Sequence, residues 1–144
     1  LGVVVYGKDS EQLKPLLPFE VYPLNYISNE KEILNVYNSV DLFVTPSLEE
    51  NLPNTIMEAM ACGVPCVGFN VGGIPEMIDH LHNGYVADYK LVEDFANGIH
   101  WALSESEYQS LSEEACRKVA SSYSESAIAK RYIEIYNKIM GDND

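Results

Sequence analysis

The feature that most constrains this chain is a strand, a short helix and a second strand held within residues 41–69. Asp41-Leu-Phe-Val-Thr45 is apolar and rich in strand formers, and Pro46-Ser47 ends it, as expected where a central strand leaves its sheet. Asn51 can cap a helix, Pro53 is tolerated in a first turn, and Gly63 with Pro65 is a stop signal, so a helix is expected over residues 53–62. Cys66-Val-Gly-Phe69 reads as the next strand. Strands joined through a helix pair in parallel with a right-handed crossover. The same alternation surrounds this unit. Strands are expected at residues 3–6, 21–27 and 85–87, Pro23 marking an edge or irregular start, with helices at 10–17 and from a cap at Ser28 through Ile33, Leu34 and Tyr37. Beyond Leu91 the pattern is wholly helical, over 92–103, 107–121 and 125–140. The expected fold is α/β, a Rossmann-like parallel sheet flanked by helices with a helical C-terminus. One domain is expected over residues 1–140, with a tail at 141–144.

Chemistry concentrates in the same segment. Seven residues separate Glu50, on the loop, from Glu58, which lies one turn into the expected helix, roughly 5–7 Å along its axis. Ile56, Met57, Met60 and Ala61 can face the sheet, while Glu58 shares a side with Asn54 and Thr55. Two carboxylates thus frame the positively polarised start of a helix, whose first amides have no intrahelical partner. A carboxylate accepts both hydrogens of a vicinal diol, so Glu58 suits a ribose and Glu50 the hydroxyls of a second sugar, with a diphosphate at the amides near Asn54 and Thr55. No metal is needed by this arrangement. On spacing alone the plainer alternative is favoured: Glu50 caps the helix and Glu58 is solvated. Gly72 and Gly73 either let backbone approach a ligand closely or form a tight turn.

The run P-S-L-E-E-N-L-P-N-T-I-M-E-A-M-A-C-G-V-P-C-V-G-F-N-V-G-G-I-P-E over residues 46–76 weighs against that alternative. It resembles the nucleotide-sugar half of retaining GT-B glycosyltransferases of the large group 1, or family 4, type, which includes bacterial mannosyl-, glucosyl- and galactosyltransferases. The resemblance extends back through Tyr26-Ile-Ser28 and Tyr37-Asn-Ser-Val-Asp41 and forward to Gly84-Tyr-Val86. It implies that Glu50 contacts and orients the donor sugar, as the one catalytic residue of this half, and that Glu58 holds the ribose. Asn51, Leu52, Asn54 and Thr55 line the sugar and phosphate, and Tyr26, Ile27 and Ser28 lie by the base. Where many members carry an aromatic and then Gly, this chain has Leu52-Pro53, and Pro53 has no amide hydrogen to give, which shifts the phosphate contact to Asn54 and Thr55. The implied donor is a UDP-, GDP- or ADP-sugar, with no cofactor required. A preceding Arg and Lys, and a whole acceptor domain for a glycan or lipid-linked sugar, are expected in such enzymes. The chain is therefore expected to be a fragment of a two-domain enzyme, inactive alone.

Composition narrows the remaining classes. A net charge of −13, from 9 Lys and Arg against 22 Asp and Glu, argues against nucleic acid and against direct contact with an anionic membrane. No apolar run approaches the ~20 residues of a membrane-spanning helix. Cys62, Cys66 and Cys116 fit a reducing compartment and core packing better than a metal or redox site. The expectation is a cytoplasmic domain, the full-length enzyme being placed at the inner face of a membrane. His80 and His82 precede Gly84 in a loop, which explains them better than a metal does. Tyr132, Ile135, Tyr136 and Ile139 form a stripe that either packs on this domain or meets another. Two other classes share parts of this pattern. A GT-B phosphorylase or sugar-nucleotide epimerase would show a pyridoxal-binding Lys or a different acidic pattern, neither of which is visible. A non-catalytic interaction module with a vestigial site would fail to bind any nucleotide.

Overall fold

The order of elements in the computed structural model, which describes residues 1–141, alternates strand and helix and then turns helical. The acidic end of the expected tail, Asp142 to Asp144, lies outside the described residues. Two units, Leu1–Val40 and Asp41–Asp144, divide the chain, and each is described by itself.

In the first unit, β1 (Gly2–Tyr6) and β2 (Glu20–Leu24) pair in parallel, with Val3 opposite Val21 and Tyr6 opposite Leu24. A two-stranded sheet leaves each strand an edge, which is how Pro23 is accommodated without a ladder amide. Where a helix is expected over 10–17, only a 3₁₀ turn forms, Ser10–Leu13. Pro15 and Pro18 have no N–H to continue an α-helical ladder. Ser10 is buried instead and its hydroxyl donates to the Leu24 carbonyl at 3.0 Å, tying the turn to the end of β2. Helix α1 (Glu30–Tyr37) starts one residue later than expected: Asn29, not Ser28, is the cap, and its side chain accepts from the Lys31 amide at 2.9 Å. Tyr37 at its end is buried, and its hydroxyl shares a 2.8 Å hydrogen bond with that of Tyr6.

In the second unit a parallel sheet has the order β3–β4–β5, with β3 Phe43–Thr45, β4 Cys66–Phe69 and β5 Gly84–Ala87. The central strand β4 is buried at all four positions, as its continuous apolar run demands. Helix α2 (Asn54–Ala61) joins β3 to β4 and is covered at Ile56, Ala59 and Met60. The expected set of Met57 and Ala61 with Ile56 and Met60 is one position out of phase, for Met57 is half-buried and Ala61 exposed. Spacing of i, i+3 and i+4 from Ile56 is what meets the sheet. Gly63 ends the helix at φ +74, pressed against Ser112 with no room for a side chain.

A short helix, α3 (Ile74–Met77), follows the two glycines and buries Ile74 and Met77. Periodicity over four residues containing Pro75 is too short to announce it. After β5 come α4 (Val92–His100), a π turn (Trp101–Glu105) in place of the end of the expected 92–103 helix, α5 (Tyr108–Ser122) and α6 (Glu125–Gly141). Burial pushes the Cys66 thiol far up, as befits a core residue, whereas Cys62 is half-buried and Cys116 exposed. Helix α6 buries no residue, and its stripe remains outside the core of this unit, with Tyr132 at 57% and Ile139 at 59% exposure. No described helix is long and apolar enough to cross a membrane.

Candidate functional site

In an open parallel sheet the loops leaving the strand C-termini collect on one edge, and that edge is where ligands bind. In the second unit those loops are residues 46–53 after β3, 70–73 after β4 and 88–91 after β5. The first carries Glu50 and leads into α2.

Asn51 does not cap this helix. The cap position is Pro53, whose backbone is extended at φ −72 and ψ 113, and no side chain caps α2 among the described residues. A ring that fixes φ and has no side-chain acceptor leaves the first-turn amides, including those of Asn54 and Thr55, without a side-chain partner. Because Pro53 lies outside the helix, its missing N–H takes nothing from that set. Asn54 is the first helical residue and exposed, Thr55 is half-buried, and Glu58 is exposed one turn further on. Glu58 also contributes, after burial and Cys116, to raising the Cys62 thiol above its usual range.

The backbone of Asn51 has a different role. Its carbonyl accepts a 2.5 Å hydrogen bond from the Gly73 amide. Gly72 adopts φ +55, and a Cβ there would collide with the Glu50 carbonyl; one on Gly73 would collide with the Asn51 carbonyl and touch the Leu52 side chain. Both glycines are therefore required by the approach of one loop to another. Neither expected reading, ligand contact or isolated tight turn, includes this contact. The glycines brace the backbone of Glu50, Asn51 and Leu52, leaving Glu50 half-buried and the side chains of Asn51 and Leu52 exposed.

A third loop reaches the same segment. The Tyr89 hydroxyl donates to the Leu48 carbonyl at 3.2 Å. Tyr89 was not legible as a site residue, because a bond to a backbone carbonyl leaves no pattern in sequence. The structure thus brings Glu50, Asn51, Leu52, Asn54, Thr55, Glu58, Gly72 and Gly73 into one unit. Tyr26, Ile27 and Ser28 belong to the first unit, beyond the end of β2, with Tyr26 and Ser28 exposed and Ile27 half-buried.

An open depression of the second unit lies elsewhere, lined by Asn70, Pro75, His80, Tyr85, Asp88 and Asp94 but by neither Glu50 nor Glu58. Asp94, Tyr85 and His80 are already engaged there. Asp94 accepts from the Asp88 amide at 2.7 Å and from the Tyr85 hydroxyl at 2.8 Å. These bonds, the amide's first, hold its carboxyl below the usual range and push the Tyr85 phenol up. His80 accepts the Val86 amide at 3.1 Å through Nδ1 and lies against the Tyr85 ring. Among the described residues no group of three or more His, Cys, Asp and Glu side chains is placed to hold a metal.

The pattern of residues and this sheet agree with one family. A model of glycosyl transferases group 1 matches residues 3–119. The chain belongs to that family. This group 1 domain is 29% identical over 119 residues to the N-acetyl-alpha-D-glucosaminyl L-malate synthase of Bacillus anthracis, covering 82% of this chain and 31% of that protein. It is 27% identical over 139 residues to a Campylobacter jejuni enzyme, N,N'-diacetylbacillosaminyl-diphospho-undecaprenol alpha-1,3-N-acetylgalactosaminyltransferase, covering 96% of this chain and 37% of that one. Its fold matches Anabaena HepE in complex with UDP-glucose, with a TM-score of 0.75 and 21% identity over 94% of this chain and 40% of HepE. At that identity the likeness is one of fold. The group 1 domain spans about a third of the length of the two enzymes.

Proposed function

We propose that this group 1 domain is the donor-binding part of a retaining glycosyltransferase, moving a hexose from a UDP-, GDP- or ADP-sugar to an acceptor hydroxyl. The observation that carries the reading is the braced loop. Gly72 and Gly73 hold the backbone of residues 50–52 immediately ahead of a helix start that no side chain caps. Glu50 orients the donor sugar, Glu58 takes the ribose diol, and the amides of Asn54 and Thr55 receive the diphosphate, with no metal or cofactor required. A brace of this kind is preorganisation: the groups facing the developing charge are in place before the reaction. In the transfer the bond from the anomeric carbon to the phosphate oxygen breaks as the acceptor oxygen bonds the same face of that carbon, and the acceptor proton leaves with the diphosphate. Cations for that diphosphate, and the binding of a glycan or lipid-linked acceptor, fall to other parts of a longer, cytoplasmic enzyme. The HepE complex and the Campylobacter enzyme's name support a nucleotide-sugar donor and a lipid-linked acceptor. This domain alone is expected to transfer nothing.

The test is an NMR titration of the chain with UDP, GDP, ADP and their hexose conjugates, beside Glu58→Ala. One nucleotide is expected to shift resonances within residues 50–58 selectively. A carboxylate hydrogen-bonded to a diol is worth about 1.5–3 kcal/mol, so Glu58→Ala should weaken that binding at least tenfold. Absence of any response to all three nucleotides would refute the donor reading.

A further inference from the structure

The turn after β5 is built to project one side chain. Asp88 to Leu91 closes through a 3.0 Å bond from the Leu91 amide to the Asp88 carbonyl, with Lys90 in the left-handed region at φ +62. Its base is anchored from α4, where Asp94 takes the Asp88 amide and, through its other oxygen, the Tyr85 hydroxyl. Tyr85 is seated in turn: its ring lies on Gly98, where a Cβ would overlap it. At the tip Tyr89 carries the Lys90 ammonium over its ring, 4.8 Å from the centroid, and donates its hydroxyl to the Leu48 carbonyl. Leu48 stands two residues before Glu50.

We propose that Tyr89 is a positioning residue for Glu50, holding the upstream side of the loop that carries it while Gly73 holds the downstream side. This rests on the donor-site reading. Residues 48–51 are pinned at Leu48 by a phenol and at Asn51 by an amide, so the Glu50 backbone lies between two fixed points. Both tethers end on main-chain carbonyls, those of Leu48 and Asn51, so neither uses the Glu50 side chain. The two tethers differ in kind. Gly73 is buried and its contact is set by main-chain geometry, whereas Tyr89 is 46% exposed and sits on a turn whose other supports are side chains. Tyr89 is therefore the tether that a substitution can remove without disturbing the sheet. Because it acts on the segment ahead of Glu50 and not on α2, its loss is felt by the sugar more than by the nucleotide.

The experiment compares Tyr89→Phe, which deletes only the hydroxyl, with the unchanged chain and with a control, Tyr132→Phe on α6. Amide exchange of the ligand-free protein is read at Gly73, whose N–H reports the loop through Asn51. The loss of one hydrogen bond predicts exchange about three- to tenfold faster there, with the amides of α2 unchanged. Titration with whichever of UDP-, GDP- or ADP-glucose the unchanged chain binds should give a dissociation constant raised about three- to tenfold, while that of the bare nucleoside diphosphate stays put. Unchanged exchange at Gly73 would overturn the tether, and equal weakening of sugar and nucleotide would overturn its role toward Glu50. If the unchanged chain binds no nucleotide sugar, the donor reading falls and the role toward sugar with it, while the exchange result still decides the tether.

Discussion

Helices α2 and α6 both carry an apolar stripe at helical spacing, yet Ile56, Ala59 and Met60 of α2 are fully buried, and Ile135 and Tyr136 of α6 are 48% and 58% exposed. The difference lies in their connections. Strands β3 and β4 pair directly, so the chain between them must fold back over the sheet, and α2 has no other place for its apolar face. Helix α6 is joined to α5 by Tyr123 and Ser124 alone and has no strand beyond it among the described residues to draw it onto the core. A stripe announces a face to be covered; topology decides whether the same unit covers it. The loop that carries Glu50 draws on the first situation, since it is continuous with a helix that cannot shift without unpacking the sheet.

Truncation at each stripe is the strongest way to break this contrast. Ile56→Ala should cost about 2–5 kcal/mol of unfolding free energy, read by denaturant titration, because it opens a cavity beneath β4. A loss under about 1 kcal/mol would show that α2 is not held by its buried face. Gly73→Ala comes next. Its Cβ must displace the Asn51 carbonyl, costing about 1–3 kcal/mol in the same assay, and the amide shifts caused by nucleotide sugar within residues 50–58 should disappear. Stability reduced with binding intact would separate the brace from the ligand. Smallest is Ile135→Ala, expected to stay within about 0.5 kcal/mol. A large loss there would mean that α6 is covered in solution by something other than the described core.

Strand β4 shows how far local pattern reaches: its limits, Cys66–Phe69, coincide with those expected, because a short apolar run between Pro65 and Asn70 admits few alternatives. Caps were harder. Ser28 and Asn29 are both good caps, and only the backbone angles at Asn29 select one. Asn51 has the right chemistry for a cap but sits two residues too early, since Pro53 is extended and delays the helix. Glu50 and Glu58 are singled out by their spacing, and resemblance gives them a reading that spacing alone does not favour.

What the sequence determined by itself was the alternation of strand and helix, the parallel pairing that follows from it, and membership of the glycosyl transferases group 1. These depend on signals that recur locally, such as periodicity, turn residues and a long motif. Only the tertiary structure decided what Gly72, Gly73 and Tyr89 do. Their partners are the main-chain carbonyls of residues 48, 50 and 51, and Tyr89 acts across 41 positions of chain. Every residue has such a carbonyl, so the acceptor leaves no mark in the sequence, and the contact exists only once three loops meet at one edge of the sheet.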